Sequence, residues 1–220
     1  VFGGVGVNIN DSSAVSAFLK QHLQIKSIIE GLPSVDHVDT DHDASSLSSK
    51  QKLERSTAKL LSQLRTLNEG ALEWNPSVCP KLGQGAFATV YRGRYEGRDV
   101  AIKHFANLET VSDLRAVLKE AVVLQSIWHP NVLQSLGLVR NHGLLVSELA
   151  ICSVSDILYY KSCKRFSELS TPIRIDRLLS NVSWKLDLCL DISKGLRYLH
   201  ANNIIHRDIK SANIMINDAG

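Results

Sequence analysis

The chain has no C-x-x-C pair, no apolar run of membrane-spanning length, no marked excess of either charge and no methionine at its first position. Each absence narrows the reading. The four cysteines, Cys79, Cys152, Cys163 and Cys189, are scattered, whereas zinc sites and disulfide frameworks want close or regular spacing. Isolated thiols in a reducing compartment are expected. No stretch approaches the ~20 apolar residues of a membrane helix. The opening VFGGVGV is too short for a signal core, and a first residue other than Met leads us to expect an incomplete N-terminus. A net charge of +3 is too small to argue for nucleic acid, and no internal repeat is visible.

What is present is unevenly spread. Residues 1–75 carry seven Lys/Arg against nine Asp/Glu, leaving eighteen against thirteen downstream, a mildly basic balance that suits an anionic ligand. With 220 residues, 44% of them hydrophobic, the chain can bury a core in one large domain or two small ones.

Residues 13–32 place Val15, Phe18, His22, Ile25, Ile29 and Leu32 at helical spacing. A polar, acidic, Ser-rich linker comes next. Within it Asp39, Asp41 and Asp43 imitate the start of a calcium loop, but Ala44 and Lys50 stand where that loop needs Gly and Glu, so a solvated linker is expected. A second helix is expected at 50–69, with Leu53, Thr57, Leu60, Leu64 and Leu67 in a 3-4 rhythm and Gly70 as terminator. It is too short for a coiled coil and is expected to dock on the domain downstream of it; a regulatory partner for residues 1–70 is the sharper alternative.

From residue 76 the texture changes. VYRGRYEGRDVAIKHF reads as two strands around a Tyr-Glu-Gly-Arg turn, and VLQSLGLVRNHGLLVSE as two more around Asn-His-Gly. Between them, Leu114, Val117, Leu118, Ala121 and Leu124 form a helical stripe that starts at Thr110 and Asp113, spaced as a capping box. The last part is mainly helical, with Leu186, Cys189, Leu190, Ser193, Leu196 and Leu199 along one face.

Chemistry gathers on these elements. LGQGAFATVYRG is a glycine-rich turn whose Gly83 and Gly85 let backbone N–H groups approach phosphate oxygens. Thirteen residues beyond Val90, Lys103 ends the strand VAIK, where an ammonium can neutralise phosphate charge. A cation held in a cleft needs a counter-charge, and Glu120 lies on the inward side of the 110–127 helix between Val117 and Leu124.

With HPN at 129–131 and HRDIKSAN at 206–213, these elements stand in the order and spacing of the eukaryotic protein kinases, which residues 74–220 resemble. The resemblance implies an α+β, bilobal protein-kinase fold. Its β-rich N-lobe and hinge would occupy 73–150, the beginning of a truncated helical C-lobe 151–220, and a helical and linker segment 1–72 would precede them. It also implies ATP and Mg2+ as cofactors and protein hydroxyls as acceptors. Lys103 would hold the α- and β-phosphates, with Glu120 holding Lys103. Val90 and Ala101 would cover the adenine, Met215 would form its floor, and the backbone of Glu148 to Ala150 would pair with it, behind a small gatekeeper, Ser147. Asp208 would take the substrate proton, Lys210 would stabilise the γ-phosphate and Asn213 would coordinate magnesium. His206 would be a packing residue, and Asp156 would sit where ribose contacts arise.

The third loop glycine is replaced by Ala88, and the family's Asp-Phe-Gly would begin shortly after residue 220. The expectation is therefore a fragment, inactive alone, with an exposed apolar face on helix 186–199. Lys210 two residues after Asp208 resembles Ser/Thr kinases, most similarly the tyrosine-kinase-like group. A pseudokinase or ATP-binding signalling scaffold is the alternative. The thiols and the ATP requirement imply a cytoplasmic location, with a preceding membrane or receptor portion left open.

Overall fold

Two residues with left-handed backbone set the first hairpin. Glu96 (φ 49°) and Gly97 (φ 75°) form the turn, the pairing of positive φ values whose twist matches that of antiparallel strands. It joins strand β3 (Ala88–Tyr95) to β4 (Arg98–Phe105), registered from Tyr95 opposite Arg98 to Ala88 opposite Phe105. The computed structural model describes residues 28–33, 48–85, 88–105, 108–160 and 179–217. The helix expected before Ile28, the Asp39, Asp41 and Asp43 series and most of the 153–183 segment lie outside them.

The sheet grows on both sides of this hairpin. β1 (Leu72–Glu73) and β2 (Lys81–Gln84) share the outer edge of β3. On the other side β4 pairs with β6 (Leu144–Glu148), which pairs with β5 (Ser135–Val139), all antiparallel. The second hairpin closes through Gly143 in the left-handed region (φ 60°).

Strand alternation then divides the apolar side chains between two faces. Val100 and Ile102 of β4 and Leu144 and Val146 of β6 join Leu72 and Trp74 in one cluster. Phe105, Leu138 and Leu145 face the other way, against helix α2 (Val111–Ser126), whose Leu114, Val117, Leu118 and Ala121 are buried. The stripe and the cap are as expected. Thr110 Oγ1 accepts the Asp113 N–H at 3.1 Å, and Asp113 Oδ2 accepts the Thr110 N–H at 2.9 Å. The Thr110 hydroxyl, which donates to Asp113 Oδ2 at 2.8 Å, and then the Thr110 N–H hold the Asp113 carboxyl below its ordinary pKa.

The leader helix docks on this domain but is shorter than the leucine rhythm predicts. Helix α1 spans Ser49–Gln63 under a Ser48–Gln51 capping box, and Leu64 is already extended (φ −88°, ψ 135°). The reason is competition from the sheet. Leu67 N–H donates to Leu138 O (2.9 Å) and Leu138 N–H to Arg65 O (3.0 Å), so residues 65–67 run beside β5 instead of continuing the helix. A Cβ at Gly137 would lie 2.7 Å from Leu67 Cγ, which shows how close the approach is. Leu61 and Leu64 enter the α2 cluster, and Ile28, Ile29 and Leu32 pack against it.

Two compact units result: the described residues up to Ser126 with Ser135–Glu148, and Ile127–Gln134 with those from Leu149 onward. In the second unit β7 (Cys152–Ser153) pairs with β8 (Met215–Ile216) over Ile151, Val154 and Ile157. Helix α3 (Val182–Ala201) lays Trp184 and Leu188 on that cluster. The apolar face expected to be exposed on this helix is open over most of its length: Leu186, Cys189, Leu190 and Ser193 are exposed, and Leu199 is buried. The HPN segment belongs to this unit because it packs on α3. The His129 ring stacks on Tyr198 at 4.9 Å, Trp128 N–H donates to Tyr198 Oη at 2.9 Å, and a Cβ on Gly195 would meet Asn131 O at 2.6 Å. Among the described residues, no helix is long and apolar enough to cross a membrane.

Candidate active site

In the first unit, strand register places Val90 opposite Lys103, and Ala101 opposite Ser147. Directly opposed residues share a face, so Val90, Ala101, Lys103 and Ser147 lie on one side of the sheet, the side that α2 covers farther along. Lys103 Nζ meets Glu120 Oε1 at 2.5 Å, the contact anticipated from the helical stripe. The ammonium also sits 4.8 Å from the centroid of the Phe105 ring, a favourable cation–π distance. Sequence reasoning missed Phe105, although its position two residues beyond Lys103 on the same strand face could have flagged it.

Gly83 pairs with Val90, and Gly85 N–H closes the turn on Ala88 O at 2.8 Å. A Cβ on Gly83 would meet nothing within 4 Å, and one on Gly85 would meet only Ala88 O, at 3.7 Å. Internal packing therefore does not demand glycine at either position. The free space is what a phosphate-cradling backbone requires. Glu148 ends β6 opposite Val100, so its side chain lies on the face away from Ala101 and Ser147. That suits a main-chain role.

The second unit assembles its own cluster. Lys210 Nζ lies 2.9 Å from Asp208 Oδ2. Asn213, in the 3₁₀ turn Ser211–Asn213, donates its side-chain N–H groups to Asp208 Oδ2 (2.8 Å) and Asp208 O (2.9 Å). Lys210 first and Asn213 second hold the Asp208 carboxyl below its ordinary value. The carboxylate is therefore ionised at neutral pH, and it is exposed to solvent. Arg207 just before it has φ 66°, a left-handed conformation uncommon for such a residue.

With both its N–H groups committed to Asp208, Asn213 keeps Oδ1 for another partner. An amide oxygen beside a carboxylate fits the oxygen donor set of magnesium, which completes its shell with phosphate oxygens and water. Among the described residues, no group of three or more His, Cys, Asp or Glu side chains could hold a metal ion without such help.

One expectation changes. His206 is exposed, not packed, and its Nδ1 accepts the Asp208 N–H at 3.3 Å. Asp156 Oδ2 accepts from Ser153 N–H (2.8 Å) and Ser153 Oγ–H (2.7 Å), so this carboxylate fastens the entry to the short π-helix Asp156–Tyr160. Met215 stands exposed on β8 opposite Ser153, and Ala150 directly precedes the Ile151 N–H that bonds Ile216 O at 2.7 Å.

Comparison with known proteins covers the same part of the chain. The sequence model of the protein tyrosine and serine/threonine kinase family matches residues 77–220. The chain is 32% identical over 149 residues to the RasGEF domain-containing serine/threonine-protein kinase X of Dictyostelium discoideum, covering 67% of this chain and 14% of that protein. It is 29% identical over 143 residues to serine/threonine/tyrosine-protein kinase HT1 of Arabidopsis thaliana, covering 63% and 34%. It is 29% identical over 215 residues to serine/threonine-protein kinase shk2 of Schizosaccharomyces pombe, covering 94% and 33%. The chain thus spans about a third or less of the length of these relatives.

Proposed function

Because this chain belongs to the protein tyrosine and serine/threonine kinase family, we propose that it carries the nucleotide-binding and catalytic-loop parts of a kinase that transfers the γ-phosphate of ATP to Ser or Thr hydroxyls of proteins. The observation that carries this reading is the Asp208 cluster, a carboxylate kept ionised by Lys210 at 2.9 Å and oriented by Asn213 at 2.8 Å.

Lys103, held by Glu120, binds the α- and β-phosphate oxygens, and the backbone at Gly83 and Gly85 adds N–H donors. Val90, Ala101 and Met215 supply apolar contact to adenine, and the main chain from Glu148 to Ala150 its hydrogen bonds. Asp208 orients the acceptor hydroxyl and takes its proton as the oxygen–phosphorus bond forms. Lys210 offsets negative charge on the transferring group. Asn213 Oδ1 would hold a magnesium ion, which when bound neutralises phosphate charge and polarises the bond to be broken. The binding-only alternative gains no support, since Lys103, Glu120, Asp208, Lys210 and Asn213 are all present.

The test is transfer of labelled γ-phosphate to a protein substrate by the full-length protein. Asp208→Asn is expected to lower kcat by about 10²–10⁴-fold while leaving ATP affinity within a small factor. Near-normal turnover would remove Asp208 from the chemistry.

A further inference from the structure

The family match begins at residue 77, yet the core around α2 contains side chains from well before it. Leu61 and Leu64 are buried there beside Leu114, Val117 and Leu118. Thr57 and Ala58 are also buried in α1, with Thr57 Oγ1 satisfied by Leu53 O at 2.7 Å, so this face meets α2 without leaving that hydroxyl unpaired.

Polar contacts then fix the two helices in register. Arg115 Nε donates to Ser56 Oγ at 3.0 Å near the start of α2. At its other end Gln125 Oε1 accepts the Arg65 N–H at 2.7 Å, just where the leader leaves α1. Residues 65–67 are hydrogen-bonded to Leu138 of β5. The leader therefore grips α2 near both ends and ties it to the sheet. Glu120 lies between these two grips, and its carboxylate meets Lys103 of β4.

We infer that residues 48–67 are a built-in clamp on α2, in which Leu61, Arg115 and Gln125 act as positioning residues that keep Glu120 against Lys103. None of the three is assigned to nucleotide contact. A helix carrying a half-exposed carboxylate gains little from the ion pair itself, so apolar burial behind the helix is the larger force setting where that carboxylate stands. This inference rests on the kinase reading only for its consequence, that a loosened clamp weakens the hold on phosphate. The clamp itself can be read without turnover.

The experiment uses a water-soluble carbodiimide on the full-length protein, joining amine and carboxylate where they touch, with the products counted by peptide mass spectrometry. Wild type is expected to give a Lys103–Glu120 crosslink and, as an internal reference in the other unit, Lys194–Asp191, a 2.8 Å pair within α3. Leu61→Ala is expected to lower the first yield about fivefold relative to the second, with Leu61→Met restoring it. ATP affinity should fall by a similar factor while adenosine affinity holds.

Should Leu61→Ala fail to fold, Arg115→Ala and Gln125→Ala, which leave the apolar contacts in place, read the same ratio. Folded variants that keep the full Lys103–Glu120 yield overturn the clamp. A wild-type protein without that crosslink overturns the site and the clamp together. A clamp-sensitive crosslink in a protein that transfers no phosphate sinks the proposed reaction and leaves the clamp standing.

Discussion

In the proposed reaction Asp208 is the proton acceptor, and two neighbouring side chains, Lys210 and Asn213, set its charge. A carboxylate held below its ordinary pKa is a weaker base than a free one, but its ionised fraction stays complete well below neutral pH. On the proposed reading the acid limb of the pH–rate profile lies where Asp208 becomes protonated, so lowering its pKa moves that limb down. Lys210 is the largest cause of the lowering. Lys210→Ala is therefore expected to move the acid limb of kcat/KM upward, toward the ordinary Asp range near about 4. A profile displaced only in height would show that Lys210 does not tune this carboxyl. Lys103 gives a companion prediction. Lys103→Met keeps a chain of similar shape against Phe105 and removes the charge, so ATP affinity should fall by about tenfold or more while adenosine binding persists.

At the scale of elements, the Asp208 cluster was legible because its residues lie close together, and one local turn brings Asp208, Lys210 and Asn213 into contact. The Lys103–Glu120 pair was legible for a different reason. A strand ending in a lysine and a helix with a single inward acid leave few ways to satisfy both charges. The early end of α1 was not legible. Leu64 and Leu67 continue a helical rhythm, and only the free edge of β5, brought alongside by folding, outbids the helix for their backbone. The exposure of Leu186 and Leu190 was expected, whereas the packing of Trp184 and Leu188 on the Ile151 cluster was not. Gly137→Ala tests the strand-edge contact. A methyl directed at Leu67 Cγ and Arg65 O should displace residues 65–67 and cost about 1–3 kcal/mol in denaturant unfolding. Gly195→Ala should cost a similar amount by pushing Asn131 off α3. Full stability in either variant would mean that the contact yields more easily than its geometry indicates.

For the molecule as a whole, the N-terminal sheet carries a built-in sensitivity to acid. The His104 ring lies tilted against Trp74, with centroids 5.3 Å apart, and against Tyr91 at 6.5 Å. Burial first, and the neighbouring His142 second, lower its pKa from 6.5 to about 4. The unfolded chain therefore binds this proton before the folded one does. The stability contributed is complete above pH 6.5 and is lost as pH falls toward about 4, at up to about 1.4 kcal/mol per pH unit. Urea unfolding at a series of pH values is expected to show that slope, and His104→Phe, which keeps a ring against Trp74, to flatten it. A slope unchanged by the substitution would assign the acid sensitivity to other groups.

The position of Trp74, only 2% exposed and three residues ahead of the first position shared with the family, has a practical consequence for anyone trimming the gene. A polypeptide begun at residue 77 would keep the whole family match, yet it would lose Trp74 and Leu72 from one side of the sheet and Leu61 and Leu64 from the other. Its β5 border would be left bare and ready to recruit strangers. The inherited frontier of this domain and its physical frontier are different places, and the physical one lies upstream.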